Sequence, residues 1–117
     1  MTRPIITRTR AEVYRLWIDA LRSGKYPQTI YQLERDGKFC CLGVVCELAR
    51  KDGGPEWEDG LYRDSDYKLP YQMSRFMGLT QGDQNRLANL NDKSCATFAQ
   101  IAGYIEQRIM PKALARP

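Results

Sequence analysis

The chain has 117 residues, 43% hydrophobic and 27% charged, with a net charge of +4. This is the length of one domain that buries a core without disulfide staples, in an ordinary globular composition. No apolar run approaches the roughly 20 residues of a bilayer span, and there are no repeats or low-complexity segments.

Met1-Thr2-Arg3-Pro4-Ile5-Ile6 has no apolar signal core and no small-residue cleavage site, so the expected location is cytoplasmic, with reduced thiols. Thr9-Arg10-Ala11-Glu12 is a capping box that predicts a helix to about Ser23, with Val13, Leu16, Trp17, Ala20 and Leu21 facing the core. Gly24 is placed to end it. Ile30 and Tyr31 favour a strand, which the Asp36-Gly37 turn folds back onto Lys38 to Cys41. Phe39 to Ala49 is the greasiest window of the chain and predicts a buried helix over about Leu42–Lys51 at its centre. Beyond Gly53-Gly54-Pro55, a smaller hairpin is expected around Asp59-Gly60, then loop to Lys68. The last third predicts helices over Leu69–Met77 and about Asp83–Leu90, a turn at Asn91-Asp92-Lys93, and a final helix from the Thr97 capping box to Pro111. The fold expected is therefore α+β: a small antiparallel sheet of one or two hairpins against about five helices. It forms a single domain over 1–111, with a loose tail over 112–117.

The motifs exclude more chemistry than they offer. Cys40, Cys41, Cys46 and Cys95 contain no C-x-x-C pair, and the chain has no histidine, so neither structural zinc nor any other metal or cofactor is expected. Cys41 at a strand-to-helix junction has the layout of a thiol nucleophile, but it lacks an imidazole base and sits in apolar surroundings. No phosphate-cradling glycine motif occurs. The reading leans away from an enzyme.

Charge is unevenly placed. Residues 1–25 carry six basic against two acidic side chains, and Asp52 to Asp66 holds six carboxylates and one arginine. The basic helix reads either as a solvated face or as a weak nucleic-acid contact. Arg22, Ser23, Lys25, Tyr26 and Gln28 gather cationic and hydrogen-bonding groups within seven residues, near Tyr31, Trp57, Tyr62, Tyr67 and Tyr71. They are the expected wall of an anion site, a nucleotide pocket above all, with Asn91 and Asp92 opposite. Helix capping by the same cations and sheet cover by the same tyrosines is the plainer alternative.

Ala20-Leu21-Arg22-Ser23-Gly24-Lys25-Tyr26, Phe39-Cys40-Cys41-Leu42-Gly43-Val44 and Leu90-Asn91-Asp92 before Phe98-Ala99-Gln100-Ile101-Ala102 resemble a group of uncharacterised small phage and prophage proteins. The resemblance implies a viral origin and a host-cytoplasmic location, and it carries no activity or site residues. By analogy with small phage accessory factors, it favours a non-enzymatic protein that binds a small anionic ligand, such as a nucleotide signal of host counter-defence. A module that blocks a host protein, for which the acidic island and an exposed Trp57 would serve, remains the alternative. So does a weak nucleic-acid binder, and self-association stays open.

Overall fold

The computed structural model describes residues 8–117 and is α+β, with a two-stranded antiparallel sheet among five helical rods. Helix α1 (Arg10–Arg22) opens on the expected capping box. Thr9 Oγ1 accepts from the Glu12 N–H at 3.1 Å, and the Glu12 carboxylate accepts from the Thr9 N–H at 2.7 Å. Its buried face is Val13, Tyr14, Trp17, Ile18 and Leu21, whereas Leu16 is exposed. Tyr14 can be buried because its hydroxyl donates to the Met77 carbonyl at 2.9 Å.

The Asp36-Gly37 turn forms as expected, at φ 53° and 80°, and joins β1 (Glu34–Arg35) to β2 (Lys38–Phe39). A two-residue turn pairs the residues beside it, so Ile30 and Tyr31 lie outside the ladder in a bend. Gln28 instead bridges the far side of β2 in parallel, with Thr29 N–H on Phe39 O and Phe39 N–H on Pro27 O, both at 2.8 Å.

Helix α2 (Cys41–Lys51) is buried over its first seven residues. The Cys40 thiol caps it, accepting the Gly43 N–H at 3.4 Å, and the Trp17 indole donates to the Cys41 carbonyl at 2.9 Å. Gly43 is where the loop before β1 crosses the helix: a Cβ there would fall 1.8 Å from the Leu33 carbonyl oxygen. The second hairpin is not formed. Isolated bridges Glu58–Leu61 and Tyr62–Ser65 make two successive tight turns, each pairing a single residue with a single partner, so no strand ladder develops around Asp59-Gly60.

Helices α3 (Tyr71–Met77) and α4 (Gln81–Asp92) follow. Thr80 and Asp83 form a capping box that starts α4 earlier than expected. The helix also runs on through Asn91 and Asp92, expected as a turn, and buries both. Helix α5 (Phe98–Tyr104) passes through a π-helical turn (Ile105–Ile109) into α6 (Met110–Leu114). Pro111 therefore does not end the helix. The Met110 N–H reaches back five residues to Ile105 O, and the widened turn passes the chain over the proline's missing donor.

The tail expected to be loose is docked. Ala113 is buried, and the Arg10 guanidinium donates to the carbonyls of Phe76 (2.6 Å), Ala113 (2.6 Å) and Arg116 (2.8 Å). Arg116 in turn holds the Gly78 carbonyl and Asp83. No helix among the described residues is long and apolar enough to cross a membrane.

Candidate functional site

Of the seven residues expected to form one anion site, three meet and the other four make separate contacts. Arg22 Nη2 pairs with Glu106 Oε1 at 2.8 Å, and Arg15 takes the other carboxylate oxygen at 2.6 Å. Ser23 closes α1, its hydroxyl donating to Ala20 O and accepting from the Lys25 N–H. Lys25 is exposed, and the Tyr26 hydroxyl accepts from Lys51 Nζ at 2.9 Å. Arg22 is therefore committed to the π turn of the C-terminal helix.

Gln28, Asn91 and Asp92 do come together, behind the bend that carries Ile30 and Tyr31. Asn91 Oδ1 accepts from Gln28 Nε2 at 2.9 Å and from the Cys41 N–H at 3.2 Å. Asn91 Nδ2 donates to Thr29 O at 2.9 Å and to Asp92 Oδ1 at 2.8 Å. Gln28 Nε2 spends its second proton on Ala96 O. This uses both protons of each amide and both lone pairs of the Asn91 oxygen, so Asn91 has no donor or acceptor left to read a base or ribose. Its work is to fasten the bend to α4 and to the start of α2.

Asp92 Oδ1 also accepts the Tyr31 N–H at 3.0 Å, which holds Tyr31 at φ 65°. A bulky residue rarely adopts that left-handed conformation, and Tyr31 is the one aromatic to do so among the described residues. Its side chain is 54% exposed, next to an exposed Ile30. Beside them, an open groove of roughly 660 Å³ runs along the unpaired edge of β1 to the Asp59-Gly60 turn. Glu34, Asp36 and Asp59 line it against one cation, Arg35. Among the described residues, none of these carboxylates, nor Glu58, Asp64 or Asp66, makes an ion pair.

The exposed Trp57 expected for a protein-blocking surface is instead half-buried. Its ring packs on Phe39 and Tyr62 at centroid distances of 5.9 and 5.0 Å, and its indole N–H donates to Glu47. Burial pushes the Glu47 carboxyl up, but the hydrogen bonds from Arg50 and Trp57 outweigh it and leave the pKa lowered. Tyr31, Tyr67 and Tyr71 are the aromatics that remain outside, Tyr71 on α3 away from the groove.

Three thiols lie in the core. Burial pushes Cys40 up to about 11 and Cys41 and Cys46 well above their ordinary range, which suppresses the thiolate a nucleophile needs. No group of acidic, cysteine or histidine side chains among the described residues could hold a metal ion.

Tyr31 stands in the sequence among the aromatics near the expected anion site and Asp59 within the acidic island, but nothing there joins them to Glu34 and Asp36 as one surface, because nothing local announces a tyrosine in left-handed conformation. A family model described as a domain of unknown function (DUF8296) matches residues 9–77. No curated protein and no solved structure matches the chain.

Proposed function

The chain belongs to the DUF8296 family, which supplies a lineage and no activity, and from that premise we propose that it is a non-enzymatic binding domain. Its partner is a protein that lays a basic segment along the groove beside Tyr31. The observation that carries this reading is Tyr31 itself. A strained backbone, held by the hydrogen bond that the Tyr31 N–H donates to a buried carboxylate, keeps an aromatic ring in solvent where it contributes nothing to the core. Strain of that kind persists where a binding surface uses it, and tyrosine is a favoured anchor at interfaces. The unneutralised carboxylates of the groove select the charge of the occupant. Should the chain be of phage origin, as its resemblance leads one to expect, that partner is a host cytoplasmic protein.

The anionic-ligand reading meets an acidic groove beside the exposed Tyr31, and its expected arginine is paired elsewhere. One experiment separates the two. Amide resonances of the labelled protein are followed while an oligolysine peptide, an oligoglutamate peptide and a panel of nucleotides are added. The expected result is that oligolysine alone shifts residues 28–36 and 58–67, and that Tyr31→Ala abolishes the shift. Shifts produced by a nucleotide around Lys25 and Tyr26, or no response to oligolysine, overturn the proposal.

A further inference from the structure

The second oxygen of Asp92 points to the chemistry of the partner, in an inference that rests on the reading above. Four other carboxylates are each met by a guanidinium: the largely buried Glu47 by Arg50 and Asp83 by Arg116, and the more exposed Asp52 by Arg8 and Glu106 by Arg15 and Arg22. Asp92 is more buried than any of them, at 7% exposed. Yet among the described residues only neutral donors reach it: the Tyr31 N–H and the Asn91 amide, both on Oδ1, and the Tyr67 hydroxyl, which lies against the carboxylate. Oδ2 is buried with no hydrogen-bond partner.

A buried carboxylate without a counter-charge is costly, and the rest of this molecule avoids one consistently. The groups around the open oxygen are suited to a cation. The phenol of Tyr67, over a third exposed, lies against the Asp92 carboxylate; its pKa is raised by burial first and by that carboxylate next. Tyr31 is held by the same carboxylate from the other side. Tyrosine rings attract cations in general, and the outer field of Glu34, Asp36 and Asp59 does so here.

We propose that Asp92 Oδ2, Tyr31 and Tyr67 form a subsite for one cationic side chain of the partner, a lysine ammonium or arginine guanidinium. The Tyr67 ring swings aside, and the incoming cation supplies the charge that Asp92 lacks. The rest of the basic segment follows the groove.

Single-residue probes test this. Capped lysine, capped arginine and capped norleucine are titrated at millimolar concentration against the labelled protein. Lysine or arginine is expected to shift the amides of Tyr31, Tyr67 and Asp92 saturably, and norleucine to leave them in place. Asp92→Asn retains an oxygen for the Tyr31 N–H and the Asn91 amide while removing the charge. It should leave the spectrum folded and weaken the cationic probe by at least about ten-fold, the loss typical of a charge-assisted hydrogen bond. Equal shifts from norleucine, or an unchanged affinity in Asp92→Asn, overturn the subsite. If oligolysine still binds Asp92→Asn normally and is lost only in Tyr31→Ala, the subsite is wrong and the binding face stands. If oligolysine binds neither variant nor the parent, both are wrong.

Discussion

At the scale of the residue, Tyr31 sets a conformational cost against a function. Its left-handed backbone opposes its own side chain, and the Asp92 hydrogen bond outweighs that preference. Asparagine tolerates the same conformation and presents no aromatic surface. Tyr31→Asn is therefore expected to raise stability by up to about 1 kcal/mol, read as a higher Tm, and to lose oligolysine binding. A lower Tm in this variant would mean that the ring contributes to the fold, and the strain argument would fail. Gly43 shows the opposite economy: a small residue is needed because the Leu33 backbone occupies the space of a Cβ.

At the scale of the element, the N-terminal basic excess becomes a set of struts between helices. Arg10 gathers carbonyls from the end of α3 and from the last turn of the chain. Arg10→Ala is expected to cost about 2 kcal/mol, since several carbonyls lose a charged donor together. Deleting 112–117 should cost a similar amount, and the double variant less than the sum, because both changes remove the same contacts. Additive losses in chemical denaturation would refute that coupling. Glu106, held by Arg15 and Arg22, has its carboxyl pulled down from 4.5 to about 2. A carboxyl depressed in the folded state contributes stability above its unfolded pKa and loses it as pH falls through the folded value. The Tm gap between the parent and Glu106→Gln should therefore be present at pH 7, narrow below about pH 4.5 and close near pH 2. Because the trio is exposed, the gap should also shrink in high salt.

At the scale of the whole molecule, one hydrophobic cluster joins residues from Val13 to Ala113, so the core opens as a unit. Of the four cysteines, Cys40, Cys41 and Cys46 are buried and Cys95 is exposed. A thiol reagent under native conditions is expected to label one equivalent quickly and three slowly, and all four at one rate in denaturant. Fast labelling of more than one thiol in the native state would contradict the burial of the α2 N-terminus. Cys46→Ala should cost roughly 1–3 kcal/mol, as a modest core truncation does, and should leave oligolysine binding intact.

The local signals of this chain act over a few residues, and what they control was legible in the sequence. Thr9 and Thr97 start helices by bonding three residues ahead, Gly78 ends one in left-handed conformation, and Asp36-Gly37 makes the turn. The apolar run from Phe39 to Ala49 marked the helix at the centre of the core, because burial on all sides needs no periodicity to be read. The pairing of charges was not legible. Arg22 meets Glu106 across 84 positions and Arg10 meets Ala113 across 103, and no local pattern encodes a contact between distant segments. Gln28, Asn91 and Asp92 were singled out together from the sequence, and the fold brings them to one place, but it spends the two amides on one another and on the backbone. Only tertiary structure decides which polar groups remain unspent, because that is a remainder left after every other group has found its partner. Among the described residues the buried remainder is the Tyr62 hydroxyl and one oxygen of Asp92, the latter with Tyr31 and Tyr67 beside it.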